Sequence, residues 1–188
     1  MDKRWCILTD ALPHELTVGE ERFPIDVRTS TALNCLRKLR EDIPEEAKLS
    51  YLLRRLGLPN TLDALDTALG YLAGPPAEEK EPKRGKPDFD YFQDAELISA
   101  AFQQAYGLGL DELTQMHWWR FLSLLGGLPS STRFMEVVGI RTMEIDPKES
   151  AESKAKKRKA KKAVALKDTR SAEEKKRDAQ AGFNSLGL

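Results

Sequence analysis

One stretch of the chain, from Asp88 to Pro129, restricts the possible folds more than any other. It holds most of the aromatic residues and has the spacing of two amphipathic helices in succession. In the first, from about Asp90 to Tyr106, apolar residues recur at steps of three and four, as in a helix that buries one face. Gly107 follows where such a helix ends, because glycine readily adopts the left-handed conformation found at helix C-termini.

The second helix of this pair begins near Asp111 and ends at the Gly-Gly-Leu-Pro sequence of residues 126–129. Its apolar residues cover more than one stripe, which is typical of a helix at the centre of a core. An alternative interpretation is that part of this surface stays open for a partner protein, because aromatic residues are enriched in protein interfaces. The candidate partner-binding residues are then Trp118, Trp119 and Phe121.

Shorter patterns on either side predict the remaining elements. Alternating apolar residues around Gly19 predict a β-hairpin over residues 15–26. Helical periodicity predicts three further helices, over about 32–40, 44–56 and 61–73. The last of these carries a repeat of leucines at positions 62, 65, 69 and 72. A short helix capped by Ser130, Ser131 or Thr132 follows the central pair. The sequence therefore predicts a mainly α fold, a compact helical domain of about six helices with a small N-terminal β-hairpin and a basic C-terminal extension.

Charge is distributed unevenly along the chain, although the net charge is zero. Residues 147–188 contain 13 Lys and Arg against 6 Asp and Glu, whereas residues 1–146 contain 17 against 24. This division predicts an acidic helical domain over residues 1–146. The extension over residues 147–188 lacks an apolar face, so we expect it to be largely disordered or transiently helical. Within the domain, residues 74–87 are rich in Pro, Gly and charge, which predicts a mobile loop.

The run from Lys154 to Lys162 contains seven bases in nine positions. A solvated run of charges, or a tether for an acidic protein surface, is favoured over nucleic-acid binding, because no aromatic residue is interleaved to stack on bases. The candidate partner-binding residues of this run are Lys156, Lys157, Arg158 and Lys159.

Patterns of catalytic chemistry are missing from the sequence. It has no glycine-rich phosphate loop, no GxSxG motif and no Cys and His at a nucleophile spacing. Its densest carboxylates, from Asp88 to Glu96, are explained by the start of a helix, where acidic residues are stabilising. We therefore predict no enzyme activity, no metal and no cofactor. No window approaches the 18 or so apolar residues of a membrane span, and Cys6 and Cys35 are predicted to be free thiols.

Several segments of the chain resemble the bacteriophage gene-product-fifteen family of long-tailed phages. They lie between about Leu12 and Arg141 and read LTVGEERFPID, YFQDAELISAAFQQAYGLGL, MHWWRFLSLLGGLP and VVGIR. The resemblance implies a tail assembly chaperone that acts in the host cytoplasm, with the tape-measure protein and the major tail protein as partners. Such a protein would cover apolar helical surfaces of the tape measure with an aromatic groove and hand over to tail tube subunits. The basic extension lies outside these segments.

Two other functions stay open, and self-association is a further possibility. A structural tail or connector component would be retained in purified virions at a fixed stoichiometry, whereas a chaperone would be absent. A nucleic-acid-binding protein that acts through Lys154 to Lys162 would bind in a steeply salt-dependent way.

Overall fold

A computed structural model describes residues 6–76 and 88–168 of the chain. In this part the protein is mainly α-helical with one antiparallel hairpin near the N-terminus, which confirms the predicted fold class. The strands are β1 (Glu15–Val18) and β2 (Glu21–Pro24). The helices in the described residues are α1 (Thr29–Leu39), α2 (Glu45–Leu56), α3 (Leu62–Ala73), α4 (Ala95–Tyr106), α5 (Leu110–Gln115), α6 (Trp118–Gly126), α7 (Arg133–Thr142) and α8 (Ala151–Ala163).

Several helices begin and end at the residues that the sequence marks. The hydroxyl of Thr61 accepts a hydrogen bond from Ala64 N at the start of α3, and Thr132 caps α7 in the same way. Gly57 and Gly107 end α2 and α4 in the left-handed conformation, with φ of 85° and 69°. These local signals therefore fix where the chain changes direction.

The second helix of the central pair is broken at Met116 and His117, so that α5 and α6 are separate helices. Both residues lie outside the helical range, with ψ of 147° and 132°. Thr29 N donates to the Met116 carbonyl and Trp118 N donates to the Val27 carbonyl, each at 2.7 Å. The prediction of one continuous helix from Asp111 was wrong, because these backbone groups pair with a distant segment instead of with their own helix.

α6 lies at the centre of the core, where its aromatic side chains contact helices on both sides. Phe121 stacks on Phe102 of α4 at a ring distance of 5.2 Å and on Trp118 at 5.4 Å. Trp119 stacks on Tyr71 of α3 at 5.8 Å. Aromatic pairs of this kind contribute about 0.5–1.5 kcal/mol each beyond the area that they bury. The aromatic residues of α6 therefore connect α3 to α4.

α3 buries only part of its leucine repeat, since Leu72 is buried and Leu65 packs against the core. Leu62 and Leu69 are 83% and 41% exposed, and the buried residues are Ala64, Ala68, Tyr71 and Leu72. The small alanines allow the backbone of α3 to lie close to its neighbours, and Tyr71 fills the remaining space. α3 therefore carries apolar residues on two opposite faces.

α8 forms the start of the basic extension and contains no buried residue. The Ser150 hydroxyl accepts a hydrogen bond from Ser153 N, and bases occupy the last turn, as the helix dipole favours. Residues 169–188, and all but residues 74–76 of the predicted mobile loop, lie outside the described residues. The division of the chain at residue 146 and the transient order of the extension stay predictions. Among the described helices, none has both the length and the apolar character that a bilayer crossing needs.

Two glycines predict opposite changes in stability when each is replaced by alanine. Gly57 has a positive φ, and an added Cβ would lie 3.1 Å from the Pro24 carbonyl oxygen. Gly57→Ala should therefore lower the free energy of unfolding by about 1–2 kcal/mol. Gly70 lies within α3, where an added Cβ meets nothing within 4 Å. Gly70→Ala should therefore raise the free energy of unfolding by about 1 kcal/mol. Urea denaturation followed by circular dichroism measures both values, and changes of the same sign would contradict this account.

Candidate interaction surfaces

Trp118 and Trp119 cap the C-terminal end of α3 with their indole groups. Trp118 Nε1 donates to the Leu72 carbonyl at 3.0 Å, and Trp119 Nε1 donates to the Tyr71 carbonyl at 2.9 Å. Carbonyls in the last turn of a helix have no partner within that helix. The Trp118 indole satisfies the Leu72 carbonyl, and the Trp119 indole gives the Tyr71 carbonyl a second donor beside Gly74 N, while both rings fill the core.

His117 joins the start of α6 to the segment before the hairpin. Its Nδ1 accepts a hydrogen bond from Trp119 N at 3.1 Å, and its Nε2 lies 2.9 Å from the Pro13 carbonyl. Both bonds form when the ring is neutral and carries its proton on Nε2. Burial lowers the pKa of His117 below its ordinary value, and the nearby His14 ring acts in the same direction. The neutral ring is therefore part of the folded structure.

The three candidate aromatic residues of α6 lie together, but inside the protein. Trp118, Trp119 and Phe121 are 1%, 8% and 2% exposed. The open aromatic groove that the chaperone hypothesis requires is not present at these residues in the described structure. Partner binding through them stays a prediction, and it requires part of the core to open.

One row of lysines, the inner row of Lys154, Lys157 and Lys161, holds the basic helix α8 to the segment of residues 143–149 that precedes it. Lys154 and Lys161 donate to backbone carbonyls within the segment 143–147, at 2.6 Å and 2.7 Å. Lys157, which lies between them, forms an ion pair with Glu149 and thereby holds the pKa of that carboxyl below its ordinary value. The predicted partner-binding residue Lys157 is therefore used within the protein.

The other three candidates in the basic run point to solvent. Lys156, Arg158 and Lys159 are exposed, as is Lys162 one turn further on. Lys156 pairs with Glu152 at 2.7 Å, but both side chains are more than three-quarters exposed and such a pair contributes little to stability. We call these four bases the outer basic row. It presents positive charge that a partner can contact.

Arg141, which forms a buried ion pair, joins the end of α8 to the body. Arg141 donates to both oxygens of Asp94 at 2.6 Å and 2.8 Å, and its Nε donates to the Val164 carbonyl at 2.6 Å. Gln93 adds two hydrogen bonds to the backbone of Lys167, at 2.8 Å and 3.0 Å. Sequence reasoning attributed the carboxylate of Asp94 to the start of a helix and did not find this pairing. The two residues are far apart in sequence, so no local pattern connects them.

Apart from the exposed Ile7 and Leu8 near the N-terminus, the described residues show two apolar surfaces outside the core. One is the outward side of α3, with Leu62 and Leu69. The other is an open groove of about 640 Å³ along α4, lined mostly by small and polar side chains and bordered by the exposed Leu110. The described residues contain no group of three or more His, Cys, Asp or Glu that could hold a metal ion. Charge and apolar contact are therefore the means of binding that these surfaces offer.

Comparison with known proteins identifies one related family. The family model described as bacteriophage Gp15 protein matches residues 8–166, which is well over half of the chain. The match extends through α8, beyond the segments between Leu12 and Arg141 that carry the resemblance in the sequence. No curated protein and no solved structure matches the chain.

Truncation of Trp118 tests whether this residue belongs to the core. Trp118→Ala should lower the free energy of unfolding by about 3–5 kcal/mol, because it leaves a cavity and an unpaired Leu72 carbonyl. Arg120→Ala, at an exposed neighbouring position, should change it by less than about 0.5 kcal/mol. Chemical denaturation compares the two variants. Weaker partner binding at unchanged stability would instead support an open aromatic surface.

The neutral state of His117 predicts how stability depends on pH. The unfolded chain protonates this ring below about pH 6.5, whereas the folded chain resists protonation. The free energy of unfolding should therefore be highest above about pH 7 and fall towards pH 5.5. His117→Asn keeps a capping side chain without titrating, so its stability should depend less on pH in this window. Urea denaturation at pH 7.5 and 5.5 measures the difference, and identical pH dependence in both proteins would contradict the assignment.

Proposed function

The chain belongs to the bacteriophage Gp15 protein family, and we propose that it is a tail assembly chaperone of a long-tailed phage. Family membership makes it a phage structural or assembly protein. In the more specific function that we propose, it covers apolar helical surfaces of the tape-measure protein in the host cytoplasm. Subunits of the tail tube, the major tail protein, then replace it.

This proposal is best supported by two separate surfaces that lie outside the closed core. The exposed leucines of α3 provide an apolar surface, and the outer basic row of α8 provides a charged one. A chaperone that passes one partner to another contacts both partners, and two separate surfaces allow these contacts to form independently.

The size of the apolar surface fits a temporary partner. Full burial of a leucine side chain contributes about 1.5–3 kcal/mol to the free energy of binding. Association is opposed by several kcal/mol, because both partners lose translational and rotational freedom. Two leucines therefore give weak binding for each copy. Many copies along one long helical stripe protect it collectively, and each copy can still be displaced by a tube subunit.

The outer basic row fits the recruitment of an acidic protein. Complementary charge raises the rate of encounter more than the affinity, and salt screens it. The bases project from a helix that the inner lysines hold in place, so the charges are presented in a fixed arrangement. We infer that this row contacts acidic tube subunits when the tape measure is handed over.

Co-expression with the tape-measure protein of the same phage tests the function. The wild-type chain should increase the soluble fraction of the tape measure. The triple variant Lys156→Glu, Arg158→Glu and Lys159→Glu should keep that effect but weaken binding of tube subunits at least tenfold in low salt. Pull-down of each partner at about one and three times physiological ionic strength separates the two effects, because only the charged contact should respond strongly to salt.

A charge-preserving variant provides the matched control. Lys156→Arg with Lys159→Arg should bind tube subunits as the wild type does. A tape measure that stays insoluble beside the wild-type chain would contradict the chaperone function. Retention of the chain in purified virions at a fixed stoichiometry would favour the structural alternative, and salt-dependent DNA binding lost in the triple variant would favour nucleic-acid binding.

A further inference from the structure

The outward side of α3 is an apolar stripe with no cover from the residues that the structure describes. Leu62, Leu69 and Ala73 follow at steps of seven and four, so they lie in one line along the helix. All three are exposed, and they lie opposite the buried alanines of the same helix. We call the stripe, together with Asp66 and Gly70 beside it, the outer face of α3. These residues form one continuous stripe, and contiguous exposed apolar surface, unlike a single exposed residue, marks an interaction site.

Gly70 gives an independent reason to expect a contact on this face. A glycine inside a helix lowers stability relative to alanine, so it normally has a packing reason. Here an added Cβ would meet nothing within 4 Å. No contact among the described residues requires the missing side chain. A partner backbone that approaches closely would require it.

The charges on α3 determine what kind of helix fits. The helix contains no Lys or Arg, and its two acidic residues, Asp63 and Asp66, are exposed. A partner that brings Lys or Arg beside its own apolar stripe would meet these carboxylates favourably. A partner with acidic flanks would meet repulsion.

A second copy of this chain does not fit the same face. Two copies pair symmetrically when the same residues meet across a two-fold axis. If the leucines of α3 paired in this way, Asp66 would lie close to Asp66 of the other copy, because it is near the middle of the line from Leu62 to Leu69. Like charges that face each other disfavour the pairing.

We propose that the outer face of α3 is the docking site for an amphipathic helix whose apolar stripe is flanked by basic residues. This inference rests on the proposed function for the identity of the partner, the tape-measure protein. It adds the place and the chemistry of binding. The docking surface is then α3 and not the aromatic residues of α6.

Binding of tape-measure peptides to the purified full-length chain tests the proposal. Overlapping peptides of about 20 residues from the tape-measure protein are measured by fluorescence anisotropy. Peptides with an apolar stripe and basic flanks should bind. Leu62→Ser with Leu69→Ser should weaken that binding at least tenfold while α3 stays folded, with only the small fall in melting temperature that the lower helix propensity of serine predicts. Asp63→Lys with Asp66→Lys should shift the preference to peptides with acidic flanks.

Two controls distinguish the outer face from exposed apolar residues in general. Leu8→Ser removes an even more exposed leucine, at 89%, from a different part of the chain and should leave binding unchanged. Gly70→Gln should weaken binding several-fold while α3 stays folded, because the larger side chain keeps the partner backbone away.

The outcomes separate this inference from the function on which it rests. A wild-type chain that keeps the tape measure soluble but binds no basic amphipathic peptide, or binds it equally after the leucine substitutions, would overturn the docking site alone. Peptide binding without any effect on solubility would overturn the chaperone function alone. A wild-type dimer that the leucine substitutions convert to a monomer would assign the outer face to a second copy and overturn the proposal.

Discussion

The packing of this protein depends on hydrogen bonds that the segment from His117 to Trp119 makes to three distant parts of the chain. They reach the carbonyls of Pro13, Val27, Tyr71 and Leu72. The bond to the Leu72 carbonyl satisfies a buried acceptor in the last turn of α3, and leaving such a group unpaired is more unfavourable than the bond is favourable. The helix is interrupted between α5 and α6 because these long-range bonds replace local ones. The hairpin, α1 and α3 are thereby attached to α6.

The same bonds explain why the aromatic residues of α6 are poorly placed to receive a partner. Both the rings and the N–H groups of Trp118 and Trp119 are already used within the core. A partner that took over these surfaces would first have to separate α6 from α3. Removal of even one such side chain from a core lowers the free energy of unfolding by several kcal/mol. Surfaces that are already exposed, on α3 and α8, require no such step.

The sequence predicts the parts of this structure that follow from local patterns. The hairpin around Gly19 and the ends of α2 and α4 depend on neighbouring residues, so they were predictable. The break in the central helix was not, because Trp118 N finds its partner at Val27, far away in the sequence. The leucine repeat of α3 predicted the buried face only in part, because the small alanines that permit close packing carry little hydrophobic signal. Of the candidate site, the sequence located the basic run but could not distinguish its inner row from its outer row.

The attachment of α8 explains how an acidic body and a basic helix can lie together without cancelling each other's charge. Two of the three inner lysines donate to backbone carbonyls, which are neutral acceptors, and only Lys157 takes a carboxylate of the adjoining segment. Arg141 is held in place by the buried carboxylate of Asp94 and donates to the Val164 carbonyl, which fixes the end of the helix. The position of α8 is therefore set by the Lys157–Glu149 ion pair, by the hydrogen bond from Arg141 and by several bonds to neutral backbone carbonyls. These contacts use neither the exposed Asp63 and Asp66 of α3 nor the outer basic row, so one molecule presents surfaces of opposite sign.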